Sequence, residues 1–243
     1  MTQQPFAAFD IDGTLFRDGL YREVALEIMR QGVVDQSLVD NVHQKLANWK
    51  SRSCRNAYDE YEIALVEALE ESLPNLPTAI FDAAVEKIAR EQLDHAYTYT
   101  REMLTRLKKQ GYFLIAISGS HEELVRHFAK RYGFDAWIGQ RYLRDENGFT
   151  GEVIKTYTNK DILLQEIIKK FNLTTSESYA FGDSGGDRRM LAIVDHPVAF
   201  NPTADLLEAA MEQNWPIVIE RKSIVFELQK GKDGYVLAEA GKI

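Results

Sequence analysis

Asp10 and Asp12 stand one residue apart, after the apolar run Phe6-Ala7-Ala8-Phe9 and before Gly13-Thr14. On a straight strand two such carboxylates leave on opposite faces, but a turn at Gly13 can swing both towards one pocket. One can then attack an electrophile while the other carries protons. Phosphoryl transfer suits such a pair, because it asks a protein chiefly for positioning and charge neutralisation. A carboxylate that meets an anionic phosphate needs a cation between them. Mg2+ is the expected cofactor, since it takes oxygen ligands, draws few of them from the protein and keeps several waters.

Asp10 and Asp183 can supply the metal's carboxylates. Asp187 lies four residues beyond Asp183 in Gly182-Asp183-Ser184-Gly185-Gly186-Asp187, where it can hold a metal-bound water or orient a ligand. Ser118 and the amides of Gly119 and Ser120 can donate to phosphate oxygens. Lys160 adds positive charge that damps repulsion between the clustered carboxylates and the incoming phosphate. Alone, each string has an ordinary explanation: turn residues, helix-capping acids or a solvated lysine. Their order on one α/β pattern is what carries the reading.

Those residues need elements to place them. Apolar runs stop at polar loops three times: Phe6–Phe9 before Asp10, Tyr112–Ile117 before Ser118-Gly119-Ser120, and Tyr179–Phe181 before Gly182. Helical periodicity follows from Thr98 to Gln110 with Gly111 as terminator, from Glu122 to Tyr132 with Gly133, and from Lys160 to Phe171 with Asn159 as cap. Weaker strands are expected at Ala136–Ile138, Val198–Phe200 and Ile217–Ile219. Strand followed by helix, repeated, predicts a doubly wound α/β fold with a Rossmann-like parallel sheet, whose ligands bind beyond the strands' carboxyl ends.

Between the first two strong strands lies a long segment with amphipathic helix patterns and no convincing strand, such as Leu20–Arg30 and the face Tyr58, Tyr61, Leu65, Ala68, Leu69. It reads as an inserted helical cap. The expected domains are a core of residues 1–16 and 98–243 and a cap of residues 17–97. Asn147-Gly148, between extended stretches, signals a hairpin.

The chain has 45% hydrophobic and 27% charged residues, the balance of a soluble globular protein, and no apolar run of bilayer length, so no membrane partner is expected. A net charge of −8 argues against a sequence-independent grip on nucleic acid, which rests on basic residues. Met1–Pro5 carries no secretory signal, and the single Cys54 cannot form an internal disulfide, so a cytoplasmic location is expected. Nothing in the sequence sets the oligomeric state.

In these motifs the sequence resembles the haloacid dehalogenase superfamily of phosphatases, and within it the phosphoserine-phosphatase-like branch with a helical cap. The resemblance runs in order through Asp10-Ile11-Asp12-Gly13-Thr14, Ser118-Gly119, Lys160 and Gly182–Asp187, and covers Phe6 to about Pro202. It implies that Asp10 is the nucleophile and forms an aspartyl phosphate. Asp12 would be acid to the leaving alkoxide and then base to water, and Ser118 and Lys160 would hold phosphate. It further implies that Mg2+ uses Asp10, the main-chain carbonyl of Asp12, and Asp183. The expected activity is hydrolysis of a small-molecule phosphate monoester. Transfer of the phosphoryl group to an alcohol, and phosphate-ligand binding without catalysis, are the alternatives.

Two departures bear on the substrate. Gly19 stands where the branch carries a glutamate, and Gly186 stands where its last motif carries an asparagine, which leaves one ligand-orienting contact without a residue. In the cap, Arg52, Arg55 and Tyr58 are candidates for reading the leaving group, weighed against a solvated helix face. His121 is read as a helix-start or surface residue, and Cys54 as a packed or partly exposed thiol.

Overall fold

Phe6, Ala7, Ala8 and Phe9 expose no surface to solvent. A strand apolar on both faces must be covered on both, the condition of a parallel sheet in an α/β protein. The structure, a computed structural model, describes residues 3–242. Its chain divides into two compact units, one of residues up to Asp18, Leu93–Gln140 and Lys155 onward, the other of Gly19–Gln92 and Arg141–Ile154.

In the first unit β1 (Gln4–Phe9) pairs in parallel with β2 (Phe113–His121) on one side and β5 (Leu173–Gly182) on the other. The order is β3 (Ala136–Asp145), β2, β1, β5, β6 (His196–Phe200), β7 (Ile217–Arg221), β8 (Ile224–Gly231) and β9 (Gly234–Lys242). Pairing is parallel as far as β7 and antiparallel beyond it. The winding direction reverses between β1 and β5, so the crevice beyond their carboxyl ends is where such a sheet takes a ligand.

Alternate residues face opposite ways. Phe6, Ala8, Ile115 and Ile117 join a core cluster with Leu164 and Ile167 of α7 (Lys160–Phe171), Met190 and Leu191 of α8 (Arg188–Leu191), and Leu206 and Ala209 of α9 (Ala204–Gln213). Phe9 points the other way and meets Phe134 edge-on at 5.8 Å, just past α6 (Glu122–Tyr132). Such aromatic pairs add about 0.5–1.5 kcal/mol beyond the area they bury. α5 (Thr98–Lys109) buries Met103, Leu104 and Leu107. α6 ends on Gly133 in the left-handed region, as its sequence predicts.

The second unit holds α1 (Leu20–Arg30), α2 (Gln36–Lys50), α3 (Ala57–Ser72) and α4 (Thr78–Gln92), with the far half of β3 and β4 (Gly148–Ile154) as an antiparallel hairpin. Trp49 of α2 stacks on Tyr61 of α3 at 5.4 Å. The hairpin joins these helices because its side chains bond there. The Tyr142 hydroxyl lies 2.8 Å from that of Tyr21, Phe149 packs on Phe81, and Arg144 pairs with Asp82 at 2.8 Å while lying over the Phe149 ring.

Several expectations are corrected. Residues 141–154, assigned by sequence to the core, group with the helices, and the unit boundaries fall at Asp18/Gly19 and Gln92/Leu93 rather than at 16/17 and 97/98. β2 runs on through Ser118-Gly119-Ser120, which therefore lie in extended backbone rather than in a loop, while α6 starts at Glu122 as expected. Asn159 occupies the N-cap position of α7, but its side chain makes no capping bond. The residues after Ile219, for which the sequence reading offered nothing, form β8 and β9 around a Lys232-Asp233 loop.

Candidate active site

Asp10 follows β1 directly, 3% exposed, and its amide donates to the Phe181 carbonyl on β5 at 2.9 Å. The chain then turns through Gly13, whose φ of +79° favours glycine. A Cβ there would lie 2.2 Å from Asp183 Oδ2, so Gly13 also lets the two loops approach. Thr14 Oγ1 donates to Asp183 Oδ1 at 3.1 Å, and the Thr14 carbonyl accepts from Thr100 Oγ1 of α5 at 2.9 Å.

Lys160 is the first residue of α7. A cation is disfavoured at a helix amino terminus, where the dipole is positive, so its placement needs a local reason. The reason is a pair of carboxylates: Lys160 Nζ donates to Asp10 Oδ1 at 2.5 Å and to Asp187 Oδ1 at 2.6 Å, and all three side chains are buried. Asp187 Oδ2 accepts from the amides of Asp183 and Ser184 and from Ser184 Oγ, forming a capping box that fixes the loop.

Asp12 is half-buried and accepts at Oδ2 from Ser118 Oγ at 3.0 Å and Ser120 Oγ at 2.6 Å. The Ser120 amide, expected to serve phosphate, donates instead to Ser118 Oγ at 2.9 Å. Thr156 Oγ1 donates to the Ser118 carbonyl at 2.7 Å, tying the segment before α7 to the Ser118 strand end.

Among the described residues Asp10, Asp183 and Asp187 can each bring one carboxylate oxygen within 4.8 Å of the others. Burial, the largest cause, pushes Asp10 up to about 7, with Asp187 and Asp12 adding to the rise and Lys160 opposing it. Burial also raises Asp183 well above the carboxylate range, reinforced by Asp10 and Asp187. Burial pulls Lys160 down, yet its two carboxylates outweigh that and hold the ammonium above the ordinary lysine range. One ammonium therefore faces an excess of carboxylates. An all-oxygen donor set with surplus negative charge, built by Asp10, Asp183 and Asp187, fits a hard divalent cation. Asp187 already accepts from Lys160 at one oxygen and from its own loop at the other.

Arg52, Arg55 and Tyr58 fall in the second unit, at and after the turn between α2 and α3. All three are exposed, and the Tyr58 ring lies 4.9 Å from that of Trp49. Cys54 is exposed in the same turn. His121 does precede α6, but it is fully buried, so the surface part of that reading is overturned. Sequence reasoning missed the Ser120 hydroxyl, Thr14 and Thr156. The first two sit inside motifs already singled out, but their bonds join segments far apart in the chain.

The sequence profile of the haloacid dehalogenase-like hydrolases matches residues 7–192. The chain belongs to that family. It is similar to a histidinol-phosphatase of Neisseria meningitidis serogroup C (strain 8013), 23% identical over 87% of this chain and 97% of the relative. A phosphoserine phosphatase of Archaeoglobus fulgidus is 27% identical over 83% of this chain, which spans only 54% of that protein. In fold the chain is similar to a solved phosphoserine phosphatase described as a phospho-aspartyl intermediate analogue, with a TM-score of 0.62 and 20% identity over 91% of this chain and 95% of that one. The family is one of hydrolases, and the α/β fold is shared with that solved phosphoserine phosphatase. No helix among the described residues is long and apolar enough to cross a membrane.

Proposed function

We propose that this hydrolase is a magnesium-dependent phosphomonoesterase that cleaves small phosphorylated metabolites through an aspartyl phosphate on Asp10. The observation that carries the reading is the convergence of Asp10, Asp183 and Asp187 within 4.8 Å, with Lys160 bonded to both Asp10 and Asp187. Mg2+ bound by Asp10 and Asp183, with the Asp12 main-chain carbonyl, would neutralise charge between nucleophile and phosphate. An Asp10 carboxylate oxygen attacks phosphorus as the bond to the leaving oxygen breaks, and Asp12 gives that oxygen its proton. Water then attacks the phosphorus, Asp12 takes back a proton, and Asp10 is released with inorganic phosphate.

Ser118, the Gly119 amide and Lys160 are the phosphate-holding groups in this scheme. The hydroxyls of Ser118 and Ser120 keep the Asp12 carboxylate turned to one side, which supports its role in moving protons. The helical unit serves as the cap, and Arg52, Arg55 and Tyr58 are its candidates for meeting the leaving group. Relatives named for histidinol phosphate and phosphoserine support a small monoester as substrate.

The test is phosphate release from a panel of metabolite monoesters with and without Mg2+, with Asp10→Asn as the blank for contaminating phosphatases. Metal-dependent release lost in the variant is the expected result. Equal release from both proteins would remove Asp10 from the nucleophile's role. Fluoroberyllate should bind at Asp10 as a mimic of the acyl phosphate in the presence of Mg2+.

A further inference from the structure

Tyr157 lies three residues before Lys160 in the segment tied to the Ser118 carbonyl by Thr156. Its side chain runs between two of the loops that carry the chemistry. A Cβ added at Gly119 would lie 3.8 Å from Tyr157 Cβ, an ordinary contact, so the stem of the tyrosine stands beside Gly119. A Cβ added at Gly186 would lie 2.7 Å from Tyr157 Cε2, closer than real side chains come, and 3.0 Å from Cδ2, tighter than most real contacts. The ring edge thus occupies space that any other residue at 186 would need. Gly186 and Tyr157 are a matched pair: the first is bare so that the second can lie against it.

The ring is not packed away by this contact. Tyr157 is 56% exposed, a large aromatic held beside Gly119 and Gly186. An aromatic left half open normally loses hydrophobic burial without return. Gly119 lies in the strand end proposed to hold phosphate and Gly186 in the loop that carries Asp183 and Asp187, which puts this exposed ring within reach of what is attached to a bound phosphate.

We propose that Tyr157 is a specificity-determining residue that contacts the leaving group of the monoester and favours one with a flat, unsaturated face. It stands in the place that the missing residue-186 side chain leaves open. The proposal rests on the phosphatase reading above and adds the class of substrate to it. A planar leaving group gains contact with the ring, whereas a small hydrated alcohol gains little.

The test compares p-nitrophenyl phosphate, whose leaving group is aromatic, with β-glycerol phosphate, whose leaving group is not, and uses inorganic phosphate as an inhibitor with no leaving group. Tyr157→Ala should raise KM for the aryl ester about five- to tenfold, change that for glycerol phosphate less than about twofold, and leave inhibition by inorganic phosphate unchanged. Tyr157→Phe should keep the preference, since the ring carries it. Gly186→Ala should displace the ring and shift the aryl-ester KM in the same direction, and the double variant should be no worse than the poorer single, as expected for residues acting through one contact. Equal KM changes for both esters, or weaker inhibition by phosphate in step with KM, would overturn the proposal by showing that the residue only supports the phosphate loop. If wild type releases no phosphate from either ester above the Asp10→Asn blank, the phosphatase reading falls first and this proposal with it.

Discussion

Thr14 and Asp183 are 169 positions apart, and the Thr14 hydroxyl donates to Asp183 Oδ1 at 3.1 Å. The bond leaves the second oxygen of Asp183 facing Gly13 and sets the direction of a carboxylate proposed to hold the metal. Groups that orient a ligand usually matter for metal affinity about 10- to 100-fold. Thr14→Val should therefore raise the Mg2+ concentration needed for half-maximal phosphate release by about tenfold, with much of the rate recovered at high Mg2+, and Thr14→Ser should behave as wild type. Magnesium titration of the rate is the measurement, and an unchanged half-point in Thr14→Val would remove the orienting role.

Lys160 is the buried cation between Asp10 and Asp187. Removing one partner of a buried pair strands the other charges and typically costs about 3–5 kcal/mol. Lys160→Ala should thus lose activity by at least about 100-fold and lower the unfolding midpoint together. Lys160→Met, closer in volume, should keep more stability while remaining inactive. Activity assays alongside urea unfolding separate the two effects.

Glu27 on α1 accepts from Arg30 and from Lys87 of α4, both through Oε2, and from Gln31 through Oε1. The Lys87 bond is the largest cause holding its carboxyl below the ordinary value of 4.5, outweighing burial. A carboxyl depressed in the folded state contributes stability above its unfolded value and loses it as pH falls through the folded one. Glu27→Gln should destabilise the helical unit by about 1–3 kcal/mol at pH 7, and the gap to wild type should close as pH falls below 4.5 and through the depressed folded-state value. Thermal unfolding across that range checks both parts.

His121 behaves in the opposite chemical sense with the same outcome. Its burial lowers it from 6.5 to about 3, so the unfolded chain binds a proton over that interval that the folded chain refuses. Stability should fall as pH goes from 6.5 towards 3, by at most about 1.4 kcal/mol per pH unit from this residue. His121→Gln, which does not titrate, should flatten the dependence of the urea midpoint between pH 7 and 5. An identical slope in both proteins would mean that other groups govern acid stability.

The sequence by itself determined the strands β1, β2 and β5, the helices α5, α6 and α7, the motifs that carry Asp10, Asp12, Ser118, Lys160, Asp183 and Asp187, and the helical segment after the first motif. Those features are written in local patterns: apolar runs that stop at acids, and periodicity that stops at glycine. Even the β8–β9 hairpin left a local trace, in the turn run Gly231-Lys232-Asp233-Gly234.

Only the tertiary structure decided which groups meet. The grouping of residues 141–154 with the helices follows from Tyr142, Phe149 and Arg144 finding partners on α1 and α4, and no periodicity encodes those partners. Asn159 takes the expected capping position without making the bond, because position along the chain does not dictate a rotamer. The Ser120 hydroxyl on Asp12, the Thr14 hydroxyl on Asp183 and the Tyr157 ring over Gly186 each join segments brought together only when the sheet closes and its loops converge at the carboxyl ends of the strands. Residue type and spacing named the candidate groups. Their directions, protonation and neighbours are properties of the packed chain, because they depend on through-space distance and burial.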